Sequence, residues 1–403
     1  MATLFNPLLV FVISIAFFLV LIYKKVGLGI SLTASAFLMG FLSLGVFETG
    51  TVLIETCIDQ TTISLVFASF FIILMSVLYK ETGLVHDLTK SLGAYVKNSK
   101  IIVCILPAVI GLMPVPGGAL MSAPMVDAEA DKLGLDDTKK TFVNIWFRHV
   151  IIPVYPVTQF IVLTSALTQI SLDEIIVRQV LVVLVMIAAG YFLGLRNTKQ
   201  AAVTKTETEQ HSKGNLKTLV VSFLPIIITV VLTAALNVDI AVATFVGVVT
   251  ILAITKKTTG LPKILKHKAI WAVTLAAFGA MLLKNVTVAS GASEILGNAL
   301  ANSNTDGTII LAIVPTLLAF LIGSTPGAIA LSVPILAETV TFTAQNASLL
   351  YIMAYLGYML APTHLCLVFT VQYFKSSINK SFKYLIPATA VSILAALVSY
   401  FVF

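Results

Sequence analysis

The chain has 403 residues, of which 58% are hydrophobic and only 11% charged, and its mean hydropathy is +1.03. Soluble domains carry about 25% charged residues, so a soluble enzyme or a solvated binding module is excluded and lipid is the expected solvent. The net charge of +7 does not indicate nucleic acid, because Lys and Arg lie in short clusters between apolar runs and not on one basic face.

A membrane crossing needs about 20 apolar residues, within a range of about 17–25. In chain order the expected crossings are 7–23, 27–47, 61–79, 141–168, 177–195, 218–236, 238–255, 269–288, 349–371 and 384–402. The first has no positive residue before it and no small-residue cleavage site after it, so it reads as a retained helix and not a signal peptide. Two crossings carry internal breaks. Pro153-Val154-Tyr155-Pro156 interrupts 141–168, and Pro362 interrupts 349–371. The cysteines Cys57, Cys104 and Cys366 are far apart, with neither metal spacing nor a disulfide pattern, and read as reduced thiols.

Two further apolar stretches do not read as simple crossings. Segment 101–126 is interrupted by Pro114-Val115-Pro116-Gly117-Gly118, and segment 308–336 by Gly323-Ser324-Thr325-Pro326-Gly327. Proline removes a helical hydrogen bond and glycine loosens the backbone, so each becomes two short arms around a non-helical tip. An arm such as Ile101 to Met113 rises about 20 Å, too little for a hydrocarbon core of about 30 Å. Both are expected to be re-entrant hairpins.

Loop charge favours that reading over two long kinked crossings. With re-entrant hairpins and both termini outside, all 25 Lys and Arg residues except Arg148, Arg178 and Lys284 fall in cytoplasmic segments. Through-going helices would flip the loops between the two stretches and put Lys132 to Lys140, Arg196 to Lys217 and Lys256 to Lys268 outside, leaving 9 Lys and Arg residues inside against 13 outside. The expected location is the inner (cytoplasmic) membrane of the cell, spanned many times.

The chain also repeats itself at an offset near 210 residues. Pro116-Gly117, Ser122 and Pro124 return as Pro326-Gly327, Ser332 and Pro334; Pro107 pairs with Pro315, Thr82-Gly83 with Ser290-Gly291, and Pro153 with Pro362. The expected domains are a first repeat over 1–196, a cytoplasmic linker over 197–217 rich in Thr, Lys, Glu and Gln, and a second repeat over 218–403. Each repeat has five crossings and one hairpin. That odd number inverts the second against the first, so the expected fold is an all-α polytopic membrane protein of two inverted repeats. Non-helical backbone at membrane depth is tolerated where it is buried or lines a wet cavity, and inverted repeats of this kind build secondary transporters.

Met113-Pro114-Val115-Pro116-Gly117-Gly118-Ala119, followed by Ser122-Ala123-Pro124, resembles the ion-transporter superfamily, which includes gluconate, citrate, lactate and dicarboxylate permeases. Within it the chain looks closest, over both halves, to a family of integral membrane proteins of unassigned function. The resemblance implies an elevator-type carrier in which a transport domain slides against a scaffold, usually in a homodimer. It also implies substrate contacts at the tips and breaks, here Pro116 to Gly118, Ser324 to Gly327, Pro153 to Pro156 and Pro362 to His364. The sodium-coupled dicarboxylate members carry Ser-Asn-Thr at both tips. This chain has Gly323-Ser324-Thr325 at one and Pro-Val-Pro-Gly-Gly at the other, which leaves sodium and proton coupling equally open.

Helix N-termini at the two tips, around Pro116, Gly117, Gly118 and Ser324, Thr325, Gly327, would suit an anion. Arg148, deep in an apolar helix, is expected either to clamp a carboxylate or to snorkel to the cytoplasmic edge. His364 and His149 are candidates for a proton relay, His364 also for substrate contact. Ser122, Ser332, Asn144 and Thr363 add oxygen and amide groups beside the breaks, and a sodium ion could sit near Gly117, Ser324 and Thr325. Lys284 is expected to snorkel at the outer end of its crossing, and Asp127 and Glu129 to form a solvated cytoplasmic face.

The expected function is secondary transport of a small organic anion such as a carboxylate, coupled to H+ or Na+, with no cofactor and no nucleic-acid partner. An intramembrane enzyme is the alternative class. The chain has no Gly-x4-Gly-Lys-Ser/Thr loop, no His-Glu-x-x-His pair and no Gly-x-Ser-x-Gly elbow, which argues against a pump or hydrolase. A channel or exporter of an inorganic ion is the third possibility.

Overall fold

The computed structural model describes residues 5–96, 98–113, 118–196, 198, 216–256, 260–301, 306–337 and 339–402, and among them every regular element is helical. The first half runs α1 (Pro7–Tyr23), α2 (Leu28–Ser43), α3 (Val46–Ile58), α4 (Gln60–Thr82), α5 (Leu84–Tyr95), α6 (Ser99–Gly111), α7 (Ala119–Lys132), α8 (Asp137–Val150), the 3-10 turn η1 (Ile152–Val154), α9 (Gln159–Thr168) and α10 (Leu172–Gly194). The second runs α11 (Leu216–Ala234), α12 (Ile240–Thr255), α13 (Leu261–Leu265), α14 (Lys268–Ala289), α15 (Ala292–Ala301), α16 (Gly307–Ile322), α17 (Thr325–Leu336), α18 (Ala344–Leu360), α19 (Leu365–Tyr373) and α20 (Ile378–Val402). The expected linker falls almost wholly outside the described residues, and α11 already begins at Leu216.

Among the described residues seven helical segments are long and apolar enough to cross a membrane: Gln60–Thr82, Asp137–Thr168, Leu172–Gly194, Leu216–Ala234, Lys268–Ala289, Ala344–Tyr373 and Ile378–Val402. Helices α1 and α12, with 17 and 16 residues, stand close to their expected limits and rise about 25 Å. The expected crossing 27–47 is corrected. Its helix stops at Ser43, and Gly45, at φ 85°, turns the chain into α3, which presents Glu48 and Glu55 among apolar residues. Short helices α5, α13 and α15 were likewise not expected. Helices α5 and α15 each follow a left-handed glycine, Gly83 at φ 87° and Gly291 at φ 72°, the two positions paired in the sequence repeat.

Polar residues punctuate the apolar runs because the first N–H groups of a helix have no partner within it, and lipid supplies none. Asn6 accepts from Leu8 and Leu9, Asp59 from Thr62, Asn98 from Lys100, Asp136 from Lys139, and Asp239 from Ala241. Asp306 accepts from Thr308, whose N–H holds that carboxyl below the usual range. Ser171 and Glu174 close a capping box on α10.

The surface is apolar where a soluble protein would be charged. Val12, Val177, Leu184, Trp271, Leu394 and Val398 are exposed, while Ser14, Ser31, Ser35, Ser69 and Ser392 are buried between helices. Small residues at helix interfaces let backbones approach closely, which is how helices associate in lipid. Helix α2 meets α14 in this way: a Cβ on Gly29 would stand 2.7 Å from the Ala276 nitrogen, and one on Gly279 would stand 2.7 Å from the Thr33 hydroxyl. The chain is an all-α polytopic membrane protein.

Packing separates the helices into two groups. Helices α2, α4, α12 and α14 pack among themselves, with α1 on α2 and α11 on α12. In the second group α6 packs on α7 and α8, α16 on α17 and α18, and α10 on α20. The groups meet where α17 rests on α14 and α9 on α4.

Candidate functional site

Both broken crossings are interrupted for the reason the sequence suggests. The residue before a proline avoids helical backbone, and proline has no N–H to donate. Tyr155, before Pro156, is extended at φ −89°, ψ 111°, and Ala361, before Pro362, at φ −65°, ψ 126°. The breaks at 151–158 and 361–364 lie side by side. The Tyr355 hydroxyl of α18 donates to the His149 carbonyl at 2.6 Å, and the Tyr351 hydroxyl donates to the Ile152 carbonyl at 3.4 Å.

The first tip is where the charge sits. Pro116 and Gly117 lie outside the described residues. Gly118 is buried, begins α7 without a side-chain cap, and has the Arg148 guanidinium packed directly on it; a Cβ there would collide with Nη1, Nη2 and Cζ. Arg148, in the last turn of α8, is 3% exposed and enclosed by protein. Its Nη2 donates to the Met113 carbonyl at 3.4 Å, while Nε and Nη1 have no acceptor among the described residues. Among the described residues the acidic groups that form ion pairs do so with Lys132 and Lys140, not with Arg148.

Two expected contact residues are joined to each other. Ser122 donates to Asn144 Oδ1 at 2.6 Å, and Asn144 Nδ2 donates to the Ala119 carbonyl at 3.1 Å and to Thr370 Oγ1 at 3.3 Å. Asn144 thus ties α7 to α8 and to α19 of the other half. Its two N–H groups and one lone pair are engaged, so its role in this arrangement is to hold the first tip in place.

At the second tip Ser324 caps α17, accepting from the Gly327 N–H at 3.3 Å. Gly323, at φ 69°, lies against the Thr363 hydroxyl, so this tip touches the second break. Only glycine fits there, since a side chain would face both the left-handed backbone and Thr363. The Thr325 and Ser332 hydroxyls are buried without partners. Thr363 is exposed, whereas His364 beside it is fully buried. Gly327 faces Leu28 of α2.

The rings of His149 and His364 meet edge to face with centroids 4.8 Å apart, and Tyr358 lies 4.0 Å from His364. His149 Nδ1 is 2.7 Å from the Ile145 carbonyl, and neither ring nitrogen of His364 has a partner among the described residues. An aromatic cluster of Tyr355, Tyr358 and Phe160 fills the space between the breaks, where the sequence suggested a wet cavity. An open cleft of about 590 Å³ between α4, α9 and α12 reaches Pro156, but its lining includes neither Arg148 nor His364.

Sequence reasoning did not name Tyr358 or Thr370, held Tyr155 only within the break Pro153 to Pro156, and read Cys366 as a plain reduced thiol. The repeat held a signal for two of them: Tyr155 and His364 each stand two residues after the paired prolines Pro153 and Pro362, and His149 and Tyr358 each stand four before. Away from the tips and breaks, Lys284 lines an open cleft with Glu55 and Asp59. Asp127 and Asp131 both bind Lys140 at 2.6 Å, and Glu129 takes Ser99 and Lys132, so this acidic segment clamps the bases of α6, α7 and α8 together.

Among curated proteins no sequence matches this one. A family profile does, and its match runs through both tips, both breaks and the buried arginine: the chain belongs to the family described as Protein of unknown function (DUF401), over residues 6–403.

Proposed function

We propose that the protein is a secondary carrier for a small organic anion, a carboxylate foremost, driven by a proton or sodium gradient. The observation that carries this reading is Arg148. A permanent charge is 3% exposed, has two donor nitrogens without an acceptor among the described residues, and lies against the N-terminus of α7, which has no side-chain cap. A helix N-terminus carries roughly half a positive charge. Two positive groups facing each other in a low dielectric repel unless an anion lies between them. A carboxylate suits the place, since one oxygen can take Arg148 donors while the other takes α7 N–H groups.

The sequence repeat and the likeness to the ion-transporter superfamily support two inverted repeats with hairpins α6–α7 and α16–α17. On this reading α1–α5 and α11–α15 form a scaffold, and α6–α10 with α16–α20 form the moving part of an elevator. Its contacts are lopsided: α17 rests on α14 and α9 on α4, whereas the mirror-related pairs α7–α4 and α19–α14 make no comparable interface among the described residues. Exchange of these two sets is what alternating access by inverted repeats requires. His149 and His364 would carry the proton if protons couple; Ser324 and Thr325 would face a sodium ion if sodium does. A homodimer in the cytoplasmic membrane, with both termini outside, belongs to the same reading.

The test is uptake into proteoliposomes. Candidate acids are first selected by thermal shift of purified protein with and without sodium. Saturable, gradient-dependent uptake with counterflow is expected. Non-saturating flux would indicate a channel, and chemical conversion of the acid an enzyme; either outcome overturns the proposal.

A further inference from the structure

One cluster joins the two broken crossings. His149 at the end of α8, and His364 and Cys366 at the start of α19, place their ligating atoms all within 4.8 Å of one another. They are 3%, 0% and 8% exposed, so water does not satisfy them. From this juxtaposition we infer that His149, His364 and Cys366 form a three-ligand site for a borderline-soft divalent cation such as Zn2+, which would fasten the two broken crossings to each other.

Three observations support the fit. First, the donor set is two imidazoles and a thiol, the ligands that Zn2+ prefers and that Mg2+ and Ca2+ do not. Second, the Ile145 carbonyl, 2.7 Å from His149 Nδ1, accepts the proton there and leaves the Nε2 lone pair free. Metal-binding histidines carry this kind of second hydrogen bond, which fixes the tautomer and the ring plane. Third, both ring nitrogens of His364 are buried and unbonded, which is costly in a low dielectric unless something binds them. Ligand atoms around tetrahedral zinc stand roughly 3.3–3.8 Å apart, given Zn–N near 2.0 Å and Zn–S near 2.3 Å. A separation within 4.8 Å therefore closes by rotamer adjustment, without moving a helix.

The neighbours define the charge. Arg148 is near enough to both imidazoles to interact with them electrostatically, and the Tyr358 ring packs on His364 with centroids 4.0 Å apart. A bound Zn2+ is partly neutralised by the Cys366 thiolate formed when the thiol proton leaves to solvent. With three protein ligands a fourth position stays open, as in sites that exchange a ligand and unlike closed structural ones. The inference does not depend on the carrier reading, since metal binding is measured directly.

The experiment uses full-length protein in detergent, stripped with EDTA and titrated with Co2+ as the probe. Saturation at about one cobalt per chain is expected, with a thiolate-to-cobalt absorption band that Zn2+ abolishes and a melting temperature that Zn2+ raises. Cys366→Ser should lose the band, His364→Gln should weaken binding roughly 100-fold or more, and Cys57→Ser and Cys104→Ser should change neither. Arg148→Gln should keep the cobalt spectrum even if it loses every anion, which separates this inference from the proposed function. Absence of saturable cobalt uptake by the wild type, or an unchanged band in Cys366→Ser, would show that the cluster is ring packing only.

Discussion

Replacing Arg148 with methionine separates a ligand-binding arginine from a structural one by the sign of its effect on stability. A charged side chain at the centre of a membrane helix costs about 2.5–3.5 kcal/mol on insertion scales. Against that, Arg148 makes one long hydrogen bond, 3.4 Å to the Met113 carbonyl, and forms no ion pair. A bond of that length contributes at most about 1 kcal/mol. Methionine keeps most of the aliphatic stem and its packing. The ligand-free Arg148→Met protein should therefore be about 1.5–2.5 kcal/mol more stable than the wild type. Binding should move the other way. Two charge-assisted hydrogen bonds at about 1.5–3 kcal/mol each correspond to roughly 10²–10⁴-fold in affinity. The assay is thermal unfolding followed by the fluorescence of Trp146 and Trp271, with a titration of the best acid from the screen. A variant that melts earlier than the wild type and still binds the acid would refute the reasoning and make Arg148 part of the framework.

Other predictions follow from neighbouring contacts. Gly118→Val should displace the guanidinium and abolish uptake while the protein still inserts and elutes as a single species; near-normal uptake would remove the first tip from the site. Gly323→Ala should be destabilising, because a side chain meets both a left-handed backbone at φ 69° and the Thr363 hydroxyl, and suppression by Thr363→Ala would confirm the contact. Asn144→Ala removes hydrogen bonds to Ser122, Ala119 and Thr370 and should cost about 2–4 kcal/mol in a denaturation series. Lys284→Gln should leave anion affinity within about threefold, since its surroundings are Glu55 and Asp59 and not the tips. Finally, a cysteine at Asp137 in a cysteine-free background should react with an impermeant maleimide only from the cytoplasmic face. Labelling from outside would make α6 and α7 through-going and undo the inversion.

Most of the long helices were legible in the sequence, because apolar runs of fixed length report transfer into lipid. The caps Asn6, Asp59, Asp136 and Asp239 that start four of them, and the short helices α3, α5, α13 and α15, came only with the structure. Pro156 and Pro362 forced the breaks where they occur, since a missing N–H does not depend on tertiary context. Arg148 was conspicuous for the same reason: a charge in an apolar run is visible without a fold. The break between α2 and α3 was not legible, because Gly45 sits in a run apolar enough to read as one crossing.

What the sequence by itself determined, then, was the solvent of this protein, most of its long apolar helices and the positions where the backbone cannot stay helical. The tertiary structure alone decided which polar groups satisfy one another. Ser122 and Asn144 looked like two free ligand contacts and are bonded together, whereas Arg148 was left with open donors and His149 was brought against His364 and Cys366. The physical reason is that burial and backbone propensity are properties of a residue and its near neighbours. A hydrogen bond or a ligand shell depends instead on angstrom-scale placement of helices far apart in the chain, which helix-to-helix packing sets.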